Sequence, residues 1–97
     1  MNEKYEAIFI IKEDCDEKKI MNEIDNVVTE EKGKIYRKEN LGLRKLAYEV
    51  KGYRNGYYYL INYEMLGNNK NSISKIEKQI NTIEEVIKYI IIRNDEY

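Results

Sequence analysis

Between Glu39 and Met65 the chain reads ENLGLRKLAYEVKGYRNGYYYLINYEM, and this stretch narrows the possible folds more than any other. Along Tyr57–Met65 the residues alternate. Tyr57, Tyr59, Ile61, Tyr63 and Met65 share one side, with Tyr58, Leu60, Asn62 and Glu64 on the other. A period of two sustained over this length marks a strand with one buried face. Lys34–Lys38 begins an earlier strand, and Leu43–Val50 continues it beyond Gly42, which is expected to mark a bulge or break. Gly52–Gly56 is rich in turn formers, with Asn55-Gly56 the strongest reversal signal. Together these runs predict a long antiparallel hairpin.

The flanking segments complete an alternating order. Tyr5–Ile11 reads as a first strand, with Tyr5, Ala7, Phe9 and Ile11 on one face and Ile8 and Ile10 beside Glu6 on the other. A helix is expected to start near Asp14–Asp16, where Asp14 and Glu17 have capping-box spacing. Ile20, Ile24, Val27 and Val28 then form its apolar stripe, and Gly33 is the expected C-terminal cap. After a polar connection at Gly67–Asn71, a second helix from about Ser72 carries Ile73, Ile76, Ile80 and Ile83 at helical spacing. The β-branched run Val86–Ile92 closes the pattern as a strand. Strand, helix, strand, strand, helix, strand is the order of an α+β, ferredoxin-like split β-α-β sandwich. It has a four-stranded antiparallel sheet with two helices on one face and the other face open to a partner.

The chain has 97 residues, 42% apolar and 36% charged, the balance of one soluble globular domain over residues 1–97. No apolar run reaches the roughly 20 residues that span a bilayer, so no membrane partner is expected. MNEKYEAIFII carries acids where a signal peptide carries bases, so the chain is expected to remain in the cytoplasm. There is no histidine and a single cysteine, Cys15, which removes the histidine-based nucleophilic dyads and triads and the usual zinc sets. Asp14, Asp16 and Glu17 around Cys15 disfavour its thiolate. The loops contain no phosphate cradle of the GxxxxGK[ST] type. An enzyme is not expected, nor a small-molecule substrate, metal or cofactor.

A net charge of −1 is unlike that of a lone, tight nucleic-acid binder, whose affinity comes largely from neutralised phosphates. The charge is uneven, however. Acids dominate Glu13–Glu31, whereas Lys34, Arg37, Lys38, Arg44, Lys45, Lys51 and Arg54 occupy the middle. Such a run also serves simply as solvated surface. One alternative is a standalone single-stranded RNA-binding module, since Asn55–Leu60 partly imitates an RNP1 run and Ile8-Phe9-Ile10 puts an aromatic on the first strand. Against it, RNP1's basic residue is missing and Asn62 stands where an aromatic is expected. A second alternative is a protein-interaction adaptor using the open sheet.

Leu41–Val50, LGLRKLAYEV, carries a more specific signal. With Tyr5-Glu6, the Gly56-Tyr57 strand start and VIKYIIIR at Val86–Arg93, it makes nearly the whole chain resemble the family of protein six of the bacterial small ribosomal subunit. The resemblance implies the same split β-α-β fold and a structural role. It also implies binding to the central domain of small-subunit ribosomal RNA together with small-subunit protein eighteen, a small basic protein that offsets the missing positive charge. Arg44 and Lys45 match the family's basic pair before Leu-Ala-Tyr, and Lys88 stands where an arginine is common. With Arg37, Lys38 and Arg93 they are the candidate rRNA contacts. Tyr48 is a candidate partner contact, as are Tyr57 and Tyr59 if the hairpin extends beyond the helix layer. Glu49 stands where many relatives have proline, which removes a rigid position.

Overall fold

The computed structural model describes residues 3–65 and 71–93. Its elements are β1 (Glu3–Lys12), α1 (Glu17–Glu30), β2 (Gly33–Val50), β3 (Tyr53–Met65), α2 (Asn71–Asn81) and β4 (Val86–Arg93). The expected polar connection at Gly67–Asn71 lies, apart from Asn71, outside the described residues. All strand pairings are antiparallel, and the sheet order is β2-β3-β1-β4. This is the expected ferredoxin-like sandwich.

Register turns the alternation into rows of side chains. Beneath the helices run Tyr5–Tyr63–Ile35, Ile91–Ala7–Ile61 and Tyr89–Phe9–Tyr59. Against them pack Ile20, Ile24, Val27 and Val28 of α1 and Ile76 and Ile80 of α2. Ala7, Phe9, Ile11, Ile24, Ile61 and Tyr63 are fully buried, and each large apolar side chain removed from water contributes about 1.5–3 kcal/mol. Tyr5 and Tyr63 stack at 5.5 Å.

Three local expectations are corrected. The N-cap of α1 is Asp16, whose Oδ1 accepts from the Lys19 amide at 3.4 Å, whereas Asp14 lies 3.7 Å from the Lys12 ammonium. At the helix end Glu31 is the C-cap and Lys32 takes the left-handed conformation at φ 65°, so Gly33 is free to open β2. The hairpin reverses at Lys51-Gly52, with φ of 49° and 85°, between the paired Val50 and Tyr53. Asn55-Gly56 lies inside β3 instead. Gly56 is there for closeness: a Cβ would stand 2.5 Å from Ile10 Cγ2.

β2 is one strand interrupted by bulges, between Ile35 and Arg37 and between Asn40 and Gly42. Gly42 at φ 82° supplies the kink expected of it. A larger irregularity follows. From Lys45↔Asn55 to Val50↔Tyr53, Leu46–Glu49 on β2 oppose Arg54 alone. The hairpin end leans across the sheet there, and Leu46 joins Ile10 and Ile87 in a small second core with Val50, Tyr53 and Tyr58 around it. One end of the sheet face expected to be open is therefore covered.

Candidate RNA and partner interface

The helix-free face of the sheet is built from the even residues of β1, β3 and β4 and from the β2 residues that pair with them. Its rows read Ile92–Glu6–Asn62–Arg37, then Ile90–Ile8–Leu60–Glu39, then Lys88–Ile10–Tyr58–Gly42, and last Lys12–Gly56–Arg44. The first two rows leave apolar surface in water: Ile90 is 49% exposed and Ile92 52%, with Ile8 and Leu60 half-buried between them and the middle of the sheet. Neither Ile90 nor Ile92 stands out in the sequence as a site residue. Their exposure follows from β4 being an edge strand whose alternate residues lack a covering layer.

The last row is basic. It places Lys12 across from Gly56, which in turn faces Arg44. Lys12 escapes sequence reasoning because only the strand register brings it to the Arg44 end. Arg44 is exposed, and its Nε donates to the Leu41 carbonyl at 3.1 Å, leaving the outer part of the guanidinium fork directed away from that contact. Lys45 is exposed beside it on the alternate side of β2. Lys88 reaches Tyr48, donating to its hydroxyl at 2.7 Å.

The six basic candidates do not converge. Arg37 is held by Glu39, Nη2 to Oε1 at 2.8 Å, and Arg93 Nη2 lies 3.3 Å from Glu3 Oε1, both remote from the Arg44 row. Lys38 is on the helix side of β2, with its ammonium 3.2 Å from Asp25 Oδ2. It borders an open groove of about 420 Å³ between α1 and β2, lined also by Lys18, Asp25 and Tyr59. Arg44, Lys45, Lys88 and Tyr48 share the hairpin end of the sheet.

Two tyrosine expectations change. Tyr59 is only 4% exposed and its hydroxyl donates to Asp25 Oδ1 at 2.7 Å, so it ties the sheet to α1 and offers a partner nothing. Burial above all, and then the Asp25 bond, push its phenol well above the ordinary range. Tyr57 is half-buried and packs against the main core. The helix layer covers Tyr59 and reaches Tyr57 only in part, since Leu43, paired with Tyr57, is 51% exposed. Tyr48, at 63% exposed, remains on the surface. This arrangement also removes the platform required by a single-stranded RNA module. Phe9 and Tyr59 face the helices, and the open rows present Ile8 and Leu60 in their place.

Cys15 Sγ sits 3.3 Å from the Lys12 carbonyl, and burial, then the Glu85 carboxylate, push its thiol up, away from thiolate character. Among the described residues no group of three or more His, Cys, Asp or Glu is placed to hold a metal. Among the described residues no helix is long and apolar enough to cross a membrane.

A split β-α-β sandwich whose open face mixes apolar and basic side chains defines an interface-forming class of protein. Comparison with known proteins gives that class its family. The ribosomal protein S6 family profile matches residues 4–93. Small ribosomal subunit protein bS6 of Rickettsia felis is 32% identical over 94 residues, covering 94% of this chain and 75% of that protein. The bS6 of Parvibaculum lavamentivorans is 30% identical over 96 residues, covering 96% of this chain and 60% of that protein. The crystal structure of 30S ribosomal protein S6 from Thermotoga maritima superposes with a TM-score of 0.86 at 26% identity, covering 97% of this chain and 89% of that one. The chain belongs to the ribosomal protein S6 family. It is a structural component of the small ribosomal subunit, associated with the RNA of that particle in the cytoplasm, and not an enzyme.

Proposed function

We propose that this chain, acting as one domain, binds the central domain of small-subunit ribosomal RNA jointly with small-subunit protein eighteen. Its open apolar rows and its hairpin end have different tasks in this reading. The row of Ile90, Ile8 and Leu60, with Ile92 beside it, meets the protein partner, where burial of exposed apolar surface drives association. The hairpin end, with Arg44 and Lys45, meets phosphate, for which arginine's planar fork is suited and lysine acts as a point charge.

The observation that carries this reading is the pairing of an exposed apolar strip with a basic end on one sheet face, in a chain whose net charge is −1. A chain without net positive charge lacks the counterion-release drive for strong RNA binding alone. A small basic partner seated on the apolar strip supplies it. Binding to a central-domain RNA fragment, measured with and without protein eighteen, tests this. The isolated chain should bind weakly and the pair tightly. Arg44→Glu should weaken the ternary complex about ten-fold or more, and Ile90→Asp should abolish pairing with protein eighteen, both with the fold intact. Equal RNA affinity with and without the partner would contradict the joint-binding reading.

A further inference from the structure

In a sheet ordered β2-β3-β1-β4, the two edge strands stand three spacings apart, about 14 Å. Tyr48 belongs to one edge and Lys88 to the other, yet the Lys88 ammonium donates to the Tyr48 hydroxyl at 2.7 Å. On a flat sheet the two side chains would stand roughly perpendicular to it and not meet across that distance. The contact forms because Leu46–Glu49 oppose Arg54 alone, and a bulge of this kind bends its strand and re-aims its side chains. Leu46 is the second observation. It belongs to β2 but is only 7% exposed, packed with Ile10 of β1 and Ile87 of β4. The ammonium also lies 5.0 Å from the Tyr48 ring centroid. With the hydroxyl oxygen only 2.7 Å away, it sits out beyond the phenol rim, and the hydrogen bond is the main attraction.

We propose that Tyr48 and Lys88 form a clamp that holds the hairpin end across the sheet and so fixes where Arg44 and Lys45 are presented. Lys88 then acts as a positioning residue through Tyr48, and its loss disturbs RNA binding without the loss of a phosphate contact. Leu46, buried under the lean, sets the direction of closure. The clamp sits in water, with Tyr48 63% exposed, and an exposed polar contact adds little to global stability. Its effect is therefore local. The inference rests on the reading of Arg44 and Lys45 as RNA contacts, and one arm of the test is independent of that reading.

The test is a double-mutant cycle on the full chain, with Tyr48→Leu, Lys88→Met and the two combined. Affinity for the central-domain RNA fragment with protein eighteen is one readout. The other is the pair of NMR contacts from the Leu46 methyls to Ile87 and from the Tyr48 ring to the Lys88 ε-methylene in the free chain. Each single substitution should weaken binding about three- to ten-fold. The double variant should be no weaker than either single one. The Leu46–Ile87 contact should fade in each, and Lys88→Arg, which keeps a donor, should restore both readouts. Losses that multiply in the double variant, or a salt dependence reduced by about one phosphate contact in Lys88→Met alone, would make Lys88 a direct contact and overturn the clamp. So would wild-type spectra without the Tyr48–Lys88 contact, or variants that lose the Leu46–Ile87 contact yet bind normally. If the wild-type chain shows no ternary binding, the joint-binding reading fails and the positioning claim falls with it. The NMR arm still reports whether the hairpin is clamped.

Discussion

Tyr59 and Tyr63 sit four residues apart on the same face of β3, and their hydroxyls are treated oppositely. Tyr59 donates to the Asp25 carboxylate, whereas the Tyr63 hydroxyl is buried with no hydrogen-bond partner among the described residues. A buried hydroxyl without a partner forfeits its hydration for nothing, and a hydrogen bond to a charged group is worth more than a neutral one. Tyr59→Phe should therefore lower stability by about 1–2 kcal/mol in urea denaturation, and Tyr63→Phe should leave it unchanged or raise it by up to about 1 kcal/mol. The reverse ranking would contradict the assignment of partners. Both phenols titrate above their ordinary 10.0 in the folded chain, chiefly because they are buried. A raised folded value means that the unfolded chain loses the proton first. The stabilisation is complete below pH 10 and is lost as pH climbs from 10 towards the folded values, by about 1.4 kcal/mol per pH unit for each tyrosine. Stability measured from pH 8 to 11 should fall more gently in Tyr63→Phe than in the wild type. Parallel curves would refute the linkage.

At the scale of elements, the hairpin is where sequence and structure part. Alternation along β3 and the helical stripes of α1 and α2 were legible because each depends only on spacing within one element. The position of the reversal was not. Asn55-Gly56 is the stronger turn dipeptide by type, but Gly56 is needed for its missing Cβ beside Ile10, a requirement set by β1 more than forty residues earlier in the chain. Lys51-Gly52 takes the turn because Val50 and Tyr53 can pair and join the small core around Leu46. Gly52→Ala, at φ 85°, should therefore destabilise by about 1 kcal/mol or more. Asn55→Ala should stay within about 0.5 kcal/mol of wild type, as chemical denaturation would report. A larger effect at Asn55 would return the turn to Asn55-Gly56. The candidate site was legible only in part, for related reasons. Arg44, Lys45, Tyr48 and Lys88 could be named from the chain, but that Tyr48 and Lys88 touch depends on the bulge between Lys45 and Val50. Tyr59 could not be assigned to the core by parity alone, since parity does not tell how far a helix layer extends.

At the scale of the whole molecule, a ribosomal family member with a net charge of −1 is consistent with RNA binding only if its charge is locally organised or its partner is basic. The structure does the first in a limited way. Arg37, Lys38 and Arg93 are engaged by Glu39, Asp25 and Glu3, and the Arg44 end is the basic region that the open face presents. The helices bury the middle of one side of the sheet, and the edge strand β4 leaves Ile90 and Ile92 in water on the other. Such a surface serves assembly, with shape and charge complementarity in place of chemistry. The most direct measurement of that role is density-gradient fractionation of native extract, following this protein beside small-subunit ribosomal RNA through a moderate salt wash. Co-migration with small subunits that survives the wash is the predicted result. Intact protein confined to the top of the gradient, apart from the subunits, would contradict an integral place in the particle.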